Sequence, residues 1–454
     1  MLSLHQITKT ATHTYSLEYD HSDLIGPFDE TKFPQRKIYL DVLPKIARRL
    51  CPNIQYWASS PFGGSTANDT TIGDIHQWSV WHLEQLPYQE YKKIGGRFVS
   101  EFGMHGYPVN RTVEYFCQGA PKSQLHPQSR LIDCHNKGHG AHTRIARYLA
   151  ENFRFDITSL KNFIYSSQLL QSEAYGYALR QWKRQFNGPG FEECAGAIIW
   201  QLNDVYPVTS WAFVDYFLRP KPAYYTIRRE CGPISVSAER TPSTLWVDED
   251  KPRQPAPPFF DIWAHNTSPK VVECLLLLRA YDFASGSWTE LAGNDQERQV
   301  SLKPGQNNEL GQLAAQQVWT SDSLIILELS LVDIKTRAAL ARHVDWPEPF
   351  RYLYWPVDTS IDVTVQKGES GVTHVTGLWE DTVVVSANQP LKGVWLEPIY
   401  DGKEVDTDQE PLWEDNMLDI LPNREVRVRV SGLKGRKVSA RFYADWEVSP
   451  IASR

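Results

Sequence analysis

The pattern of apolar residues along the chain changes at about residue 233. Before this point, short apolar runs followed by glycine, serine or proline alternate with longer segments whose apolar residues recur every three or four positions. Such alternation of strands with helices is typical of parallel β/α units. After this point the helical period disappears and one strand-like run follows another. The sequence therefore predicts a β/α domain followed by all-β structure.

The first part is expected to contain buried strands separated by helices. Ile145, Leu149 and Phe153 share one face of a predicted helix. A helix is also predicted over 38–50, where Pro44 should kink it because proline has no backbone N–H to donate. The apolar runs that predict the strands are 53–58, 71–76, 97–101 and 195–200.

The second part is expected to form β-sandwiches. Val426, Val428 and Val430 alternate with arginines, which is the pattern of a half-buried antiparallel strand. A proline-rich segment at 253–258 and a break at 346–349 interrupt the strand-like runs. Two immunoglobulin-like sandwiches of about 100 residues fit this spacing. The predicted strands are 271–283, 323–333, 383–387, 425–430 and 437–443, and the predicted domains are 1–233, 234–348 and 349–454.

Charge, cysteine content and hydropathy exclude several classes of protein. The formal net charge is −7, so no basic excess indicates a nucleic-acid or anionic membrane surface. Six scattered cysteines with no closely spaced pair argue against a disulfide scaffold or a zinc ribbon. No run reaches the roughly 18 apolar residues of a membrane span. The first residues lack a signal-peptide pattern, which predicts a cytoplasmic protein.

The aromatic content has two interpretations. The chain contains 16 Trp, 21 Tyr and 18 Phe. Flat rings can stack on the C–H faces of sugars, and they also fill cores and interfaces in proteins of every class. Composition alone leaves both interpretations open, and the positions of particular rings have to decide between them.

Glu101 is the first candidate functional residue. It ends an apolar run within Gly-Arg-Phe-Val-Ser-Glu-Phe-Gly-Met, residues 96–104. A carboxylate at the carboxyl end of a barrel strand faces the pocket in which such folds perform chemistry. A glutamate at a strand end is more often a solvated surface residue, but the neighbouring aromatic residues and glycines favour a pocket here.

Two further strand ends carry polar and aromatic residues. His76 and Trp78 lie in the segment 73–82 and suit a site that binds a carboxylate and stacks on a sugar. A buried histidine beside packing tryptophans is the alternative. Trp200 ends the last run and is followed at once by polar residues that include Asn203, which indicates the rim of a pocket. Together the three strand ends are much more specific than any one of them.

These segments resemble the β-mannosidases of glycoside hydrolase family 2, most closely the fungal, intracellular type. The resemblance rests on RFVSEFG, GDIHQWSVWH, WQLNDVYPVTSW and FLRPKPAYY, and extends from about Tyr15 to the C-terminus. It implies a (β/α)8 barrel of which this chain contains the C-terminal half, and hydrolysis of terminal β-D-mannose with retention. It also implies that Glu101 is the nucleophile, that His76, Trp78 and Trp200 shape the sugar site, and that no metal or cofactor takes part.

The acid/base residue expected from the resemblance is missing. In the family it is the Glu of an Asn-Glu motif, expected just before the segment that matches residues 15–44, but residues 1–14 contain no acidic residue. Glu18 and Asp20 lie near but lack the preceding asparagine. The Asn-Asn-Glu at 307–309 is expected to be a turn in the β-rich part. We therefore expect a truncated or degenerate form, weakly active or inactive.

A cluster of potential metal ligands is interpreted as a loop. Cys134, His135, His139 and His142 are residue types that bind zinc, but a zinc site needs three or four of them to converge. Their position directly before the predicted helix around Ile145 favours a loop. The sequence predicts no metal site.

The leading hypothesis is a retaining β-mannosidase whose partner is a β-mannosyl oligosaccharide, with no nucleic-acid or membrane partner. The alternative is a non-catalytic carbohydrate-binding or interaction protein of the same lineage, which the missing acid/base favours. A third possibility keeps the enzyme and changes the sugar to β-galactose or β-glucuronate. The sequence does not determine the oligomeric state.

Overall fold

The computed structural model of the chain describes residues 35–63, 68–241, 256–289, 297–316, 319–320, 322–368, 379–400 and 410–448. It divides into two compact units. The first comprises Met1–Gly103 with Tyr177–Trp200, and the second comprises Met104–Gly176 with Gln201–Arg454.

A three-stranded parallel sheet forms the centre of the first unit. Its strands are β1 (Ile75–Gln77), β2 (Val99–Phe102) and β3 (Ala197–Ile199), with β2 in the middle. Each strand falls within or at the end of an apolar run that predicts it, but the strands are shorter than the runs. The parallel pairing of these strands is therefore confirmed.

The expected strand over 53–58 is absent, and this prediction is wrong. No neighbouring strand pairs with these residues in the part of the chain that the structure describes, and a strand needs such a neighbour for its N–H and C=O groups. Side chains anchor the segment instead. The Tyr56 hydroxyl donates to the carbonyl oxygen of Tyr39 at 2.8 Å, and the Trp57 indole N–H donates to Asp74 at 2.8 Å.

The predicted N-terminal helix is present, but it contains a π-helical turn instead of the expected kink at Pro44. Helix α1 (Gln35–Lys37) leads into a π-helical turn (Ile38–Val42), which continues as α2 (Leu43–Leu50). Pro44 is the second residue of α2, which directly follows this turn, and it has no N–H to donate to the turn.

Aromatic rings fill the core behind the central strand. Tyr91, Phe102 and Trp182 pack edge to face, with ring centroids 4.8–5.8 Å apart. The Trp182 indole N–H also donates to the carbonyl oxygen of Tyr91 at 2.9 Å. Trp81 is fully buried as well. For these tryptophans the core-packing interpretation is correct.

The helices after β2 include the predicted one around Ile145. They are α3 (Asn110–Phe116), α4 (Arg130–Cys134), α5 (Ala141–Asn152), α6 (Leu160–Arg184) and α7 (Pro222–Glu230), with α8 (Asp445–Val448) near the C-terminus. Ile145 and Leu149 on α5 are fully buried, as their shared face predicts. Across the described ranges, we find no helix with the length and apolar character to cross a bilayer.

The all-β part begins with two antiparallel sheets that share one apolar core. One sheet has the order β4-β5-β9, and the other has the order β11-β10-β6-β7 with β8 paired to β6. Buried residues from both sheets, among them Phe260, Leu276 and Leu329, form a single cluster. The strands are β4 (Ile234–Thr241), β5 (Phe259–Asn266), β6 (Val272–Asp282), β7 (Ser287–Thr289), β8 (Glu297–Leu302), β9 (Gln306–Ala314), β10 (Ile325–Asp333) and β11 (Ala339–Asp345).

The remaining strands form two more antiparallel sheets. Their orders are β12-β13-β17-β15 and β16-β14-β18. In β17, Val428 and Val430 are buried while Arg427 and Arg429 are exposed, which confirms the predicted alternation. The strands are β12 (Ile361–Lys367), β13 (Asp381–Ala387), β14 (Leu391–Pro398), β15 (Leu412–Trp413), β16 (Leu418–Ile420), β17 (Val426–Ser431) and β18 (Val438–Arg441).

The expected turn at 307–309 is instead part of strand β9. Glu309 pairs with Trp263 on β5, and the Asn307 amide donates to the Glu309 carboxylate at 2.8 Å. The turn lies just before, at Gly305, whose φ of +62° suits glycine. Glu309 is therefore a strand residue of the β-rich part.

Candidate functional site

The parallel pairing of β1 with β2 places His76 next to Glu101. These two residues are partners in the register of the sheet. The imidazole Nδ1 of His76 lies 3.1 Å from Oε2 of Glu101, with side-chain exposures of 1% and 16%. The carboxylate therefore reaches solvent on one side and is held by a buried ring on the other.

Trp78 supplies a second contact to the same carboxylate. Its indole N–H donates a hydrogen bond to Glu101. The ring is nearly buried and packs against His82, with ring centroids 4.9 Å apart. Two of the predicted sugar-site residues, His76 and Trp78, thus surround the predicted nucleophile in the structure.

The other two predicted sugar-site residues follow strand β3. Trp200 comes directly after the strand, and its backbone N–H donates to the carbonyl oxygen of Phe102 at 2.8 Å. This bond places Trp200 beside the end of β2. Asn203 is exposed and belongs to the second unit, where its amide donates to the carbonyl oxygen of Asp204 at 3.1 Å.

Some polar groups after β3 have structural partners within the second unit. Asp204 is buried and accepts hydrogen bonds from Ser210 at 2.7 Å and from Lys137 at 3.2 Å. Lys221 is also buried, and its ammonium donates to the carbonyl oxygens of Gly106 and Ser210. Burial lowers the pKa of Lys221 to about 8. The two hydrogen bonds that Asp204 accepts stabilise the loop that follows β3.

The structure adds three residues that the sequence interpretation missed. Asp74 is buried behind His76, and its carboxylate accepts hydrogen bonds from the hydroxyls of Ser60 and Ser100. The Ser60 hydroxyl also lies 3.1 Å from Nε2 of His76. Asp74 belongs to the same motif as His76, two positions earlier, which was the available signal. Ser60 lies in a loop with no comparable signal.

Burial raises the pKa of Glu101 to about 7. The negative charge of Asp74 contributes to this rise, and the hydrogen bond from Trp78 acts in the opposite direction. Burial thus opposes ionisation of this carboxyl group. It can attack a carbon atom only in the ionised state.

The cluster of potential metal ligands has partners within the protein. Nδ1 of His135 lies 2.8 Å from the carbonyl oxygen of Pro207, and the His142 ring contacts Tyr107 and Asp133. Among the described residues, no group of three or more histidine, cysteine, aspartate or glutamate side chains converges in a way that could hold a metal ion.

Comparison with known protein families gives one match. The family model described as the Mannosidase Ig/CBM-like domain matches residues 260–352. This range contains most of the two sheets that share the core of Phe260, Leu276 and Leu329, with β4 lying before it. Residues 260–352 are therefore similar to a domain type found in mannosidases.

Curated relatives match most of the chain. β-Mannosidase B of Thermothelomyces thermophilus is 37% identical over 91% of this chain, and β-mannosidase B of Aspergillus clavatus is 33% identical over 95%. These alignments cover 46% and 47% of the two relatives. The chain thus spans about half the length of the curated relatives it matches.

Solved structures agree with these matches. The crystal structure of β-D-mannosidase from Dictyoglomus thermophilum aligns with a TM-score of 0.72 and 25% identity, covering 90% of this chain and 44% of that one. An exo-chitosanase from Amycolatopsis orientalis aligns with a TM-score of 0.54 and 15% identity, covering 79% and 44%, and shares the fold. The resemblance to β-mannosidases is confirmed.

Replacing Glu101 with glutamine should stabilise the folded chain at pH 8 and have little effect at pH 5. The folded-state pKa of Glu101 is raised to about 7 from the ordinary 4.5, so between these values the folded chain keeps a proton that the unfolded chain has lost. The free energy of unfolding of the unmodified chain therefore decreases as the pH rises through this window. Glutamine has no ionisable group and avoids this loss.

We expect a difference in unfolding free energy on the order of 1–3 kcal/mol at pH 8, measured as a rise in Tm by calorimetry at both pH values. Glu84→Gln is the matched control, because Glu84 is exposed and its replacement should have a small effect. A stabilisation by Glu101→Gln of equal size at pH 5 and pH 8 would contradict burial of the charge as the cause.

Proposed function

We propose that the chain carries the nucleophile side of the active site of a retaining β-mannosidase, which releases terminal β-D-mannose from oligosaccharides. The observation that carries this proposal is Glu101, a half-buried carboxylate at the end of a parallel strand, bound by His76 and Trp78. In a retaining glycosidase such a carboxylate attacks the anomeric carbon and forms a glycosyl-enzyme ester, which water then hydrolyses. The match to β-mannosidases along nine-tenths of the chain supports mannose as the sugar.

The proposal includes the architecture around the site. The parallel sheet β1-β2-β3 corresponds to the C-terminal strands of a (β/α)8 barrel, whose active sites lie at the carboxyl ends of the strands. The paired sheets after residue 233 correspond to two immunoglobulin-like sandwiches, with the domain limits 1–233, 234–348 and 349–454. Support comes from the parallel pairings and from the family match over 260–352.

A retaining mechanism needs a second carboxyl group about 5–5.5 Å from the nucleophile, which acts first as an acid and then as a base. Asp74 is the carboxylate whose charge acts on Glu101, but it is buried and its oxygens accept hydrogen bonds from Trp57, Phe62 and Ser60. It is therefore a poor proton donor to a sugar. Glu18 and Asp20 lie outside the described residues.

The alternative function is carbohydrate binding without turnover. The hydrogen bonds that Asp74 already accepts favour this alternative. They leave Glu101 without an acid partner among the described carboxylates near it. The two functions differ in one measurable property, since an enzyme forms a covalent ester on Glu101 and a binding protein does not. A cytoplasmic location, no nucleic-acid or membrane partner, and the choice of mannose over other sugars stay predictions. A panel of aryl glycosides tests the last of these.

Glu101→Ala should abolish hydrolysis of an aryl β-mannoside with a very good leaving group. Such a substrate needs little acid assistance, so the chain can be assayed as it exists. Azide should restore part of the turnover, because it fits the vacated space and attacks the anomeric carbon to give a mannosyl azide of inverted configuration. Glu84→Ala is the matched control. Activity of Glu101→Ala near that of the unmodified chain would contradict the role of Glu101 as nucleophile.

The chain should hydrolyse an aryl β-mannoside with a poor leaving group far more slowly than one with a good leaving group. Positioned acid catalysis contributes about 10²–10⁴-fold, and only the poor leaving group depends on it strongly. Initial rates with both substrates measure the ratio. Rapid turnover of the poor substrate would show that an acid is present. The variants Glu18→Gln and Asp20→Asn would then test these two carboxyl groups as its source. Dilution of the protein would test whether a second subunit supplies it.

Trp200→Ala should reduce kcat/KM for the good substrate, because the predicted sugar site loses a stacking ring. The loss is expected to be on the order of 1–3 kcal/mol in transition-state binding. Trp200→Phe, which keeps an aromatic face, should retain most of the activity, and the Tm of both variants should stay near that of the unmodified chain. Equal kcat/KM for the three proteins would place Trp200 in the packing of the strand end instead.

A further inference from the structure

The hydroxyl of Ser60 is the centre of a partly buried hydrogen-bonded group next to His76. Its Oγ lies 2.7 Å from Oδ2 of Asp74, 2.9 Å from Oγ of Ser100 and 3.1 Å from Nε2 of His76. The other imidazole nitrogen of His76, Nδ1, lies 3.1 Å from Glu101. A continuous path of contacts therefore runs from Asp74 through Ser60 and His76 to Glu101.

The hydrogen-bond partners of Asp74 identify it as the acceptor at one end of this path. Oδ1 accepts from the indole N–H of Trp57 at 2.8 Å and from the backbone N–H of Phe62 at 2.9 Å. Oδ2 accepts from the hydroxyls of Ser60 and Ser100. Donors therefore face both oxygens of the Asp74 carboxyl group.

The donor directions along the path indicate which imidazole nitrogen is protonated. Ser60 has one hydroxyl proton, and its shortest contact, 2.7 Å, is the hydrogen bond that it donates to the carboxylate of Asp74. The contact between Ser60 and His76 is then a hydrogen bond only if Nε2 of His76 carries a proton and donates it. A second proton on the pair of His76 and Glu101 is then shared between Nδ1 and the carboxyl group, which lie 3.1 Å apart.

We propose that Asp74, acting through Ser60, holds this shared proton on Nδ1 of His76, so that His76 is an imidazolium and Glu101 a carboxylate. The imidazolium then has Nε2 3.1 Å from the hydroxyl of Ser60 and Nδ1 3.1 Å from Oε2 of Glu101. Asp74 and Ser60 are positioning residues, since neither contacts Glu101 through a hydrogen bond. This inference rests on the proposed function, because it explains how a buried carboxyl stays ionised for attack on a sugar.

The groups around the path explain why Glu101 needs a nearby group that keeps it ionised. Burial and the charge of Asp74 both raise the pKa of Glu101, to about 7, which favours uptake of a proton by the pair. Two described carboxyl groups, those of Glu101 and Asp74, contact the path, and Trp78, directly after β1, donates to Glu101. A proton taken up on His76 leaves the nucleophile ionised, whereas one taken up on Glu101 blocks it.

The test is nitrogen NMR of the intact chain labelled with ¹⁵N-histidine. The chain has 13 histidines, and the signals of His76 are identified by their loss in His76→Gln. In the unmodified chain at pH 7 both ring nitrogens of His76 should have the shifts of an imidazolium. Shifts of a neutral ring with a bare Nδ1 would place the proton on Glu101, and a bare Nε2 would exclude the path through Ser60. Either result overturns the proposal.

Variants separate the path from a general effect of charge. Ser60→Ala keeps both carboxylates and breaks the link, so His76 should lose its charge at a lower pH than in the unmodified chain. Ser60→Thr keeps the hydroxyl and should restore the titration. Ser100→Ala is the control, since it removes hydrogen bonds to Asp74 and Ser60 but keeps the contacts of Ser60 with Asp74 and His76. An unchanged His76 titration in Ser60→Ala overturns the proposal. If that variant does not fold, Asp74→Asn replaces it with the same expected direction.

A chemical readout distinguishes failure of this inference from failure of the proposed function. A 2-fluoromannosyl fluoride should form an ester with Glu101 as a C–O bond replaces the C–F bond and fluoride leaves, and mass spectrometry follows the adduct. Labelling at pH 7 should be slower in Ser60→Ala than in Ser60→Thr. Absence of any adduct in the unmodified chain would contradict the proposed function, whereas the NMR titration would still decide the state of His76. Equal labelling rates in all variants would contradict the inference alone.

Discussion

The site depends on the register between β1 and β2. His76 contacts Glu101 because the two residues are partners in this parallel pair, after an irregularity between Ile75 and His76 shifts the register. A slip by one residue would turn each side chain to the opposite face of the sheet and separate the imidazole from the carboxylate. The rings of Phe102 and Trp182, whose centroids lie 4.8 Å apart, anchor the end of β2 from behind.

Close backbone approach at Gly73 sustains the same arrangement. Gly73 has a φ of +70°, and a Cβ there would lie 2.0 Å from the carbonyl oxygen of Phe62. The absence of a side chain lets Asp74 form two bonds with Phe62, by donating from its backbone N–H and by accepting at its carboxylate. The loop that carries Ser60 is thereby fixed against the strand that carries His76. Gly73, directly before Asp74, is thus required by the site as well as by the turn.

Within the second unit, side chains of helix α6 bond to the all-β part. The ammonium of Lys392 on β14 is buried and lies 2.9 Å from the carboxylate of Glu173 on α6. The hydroxyl of Tyr165 on the same helix donates to the carbonyl oxygen of Gly393 at 2.7 Å. Removing one partner of a buried ion pair destabilises a protein by several kcal/mol. The all-β part therefore contributes to the stability of α6, which is a structural role distinct from sugar binding.

The sequence predicts those features that depend on local pattern and misses those that depend on tertiary contact. The alternation in β17 and the strand-end position of Glu101 are visible in short segments, and the structure contains both. The segment 53–58 has a strand-like composition but no strand to pair with among the described residues, so composition alone was misleading. Ser60 and Asp74 are the clearest case of the second kind. They lie 14 residues apart, and Ser60 also contacts Ser100, 40 residues away. A serine gains its role here only from the folded distances to an imidazole and a carboxylate, and no spacing along the chain encodes those distances.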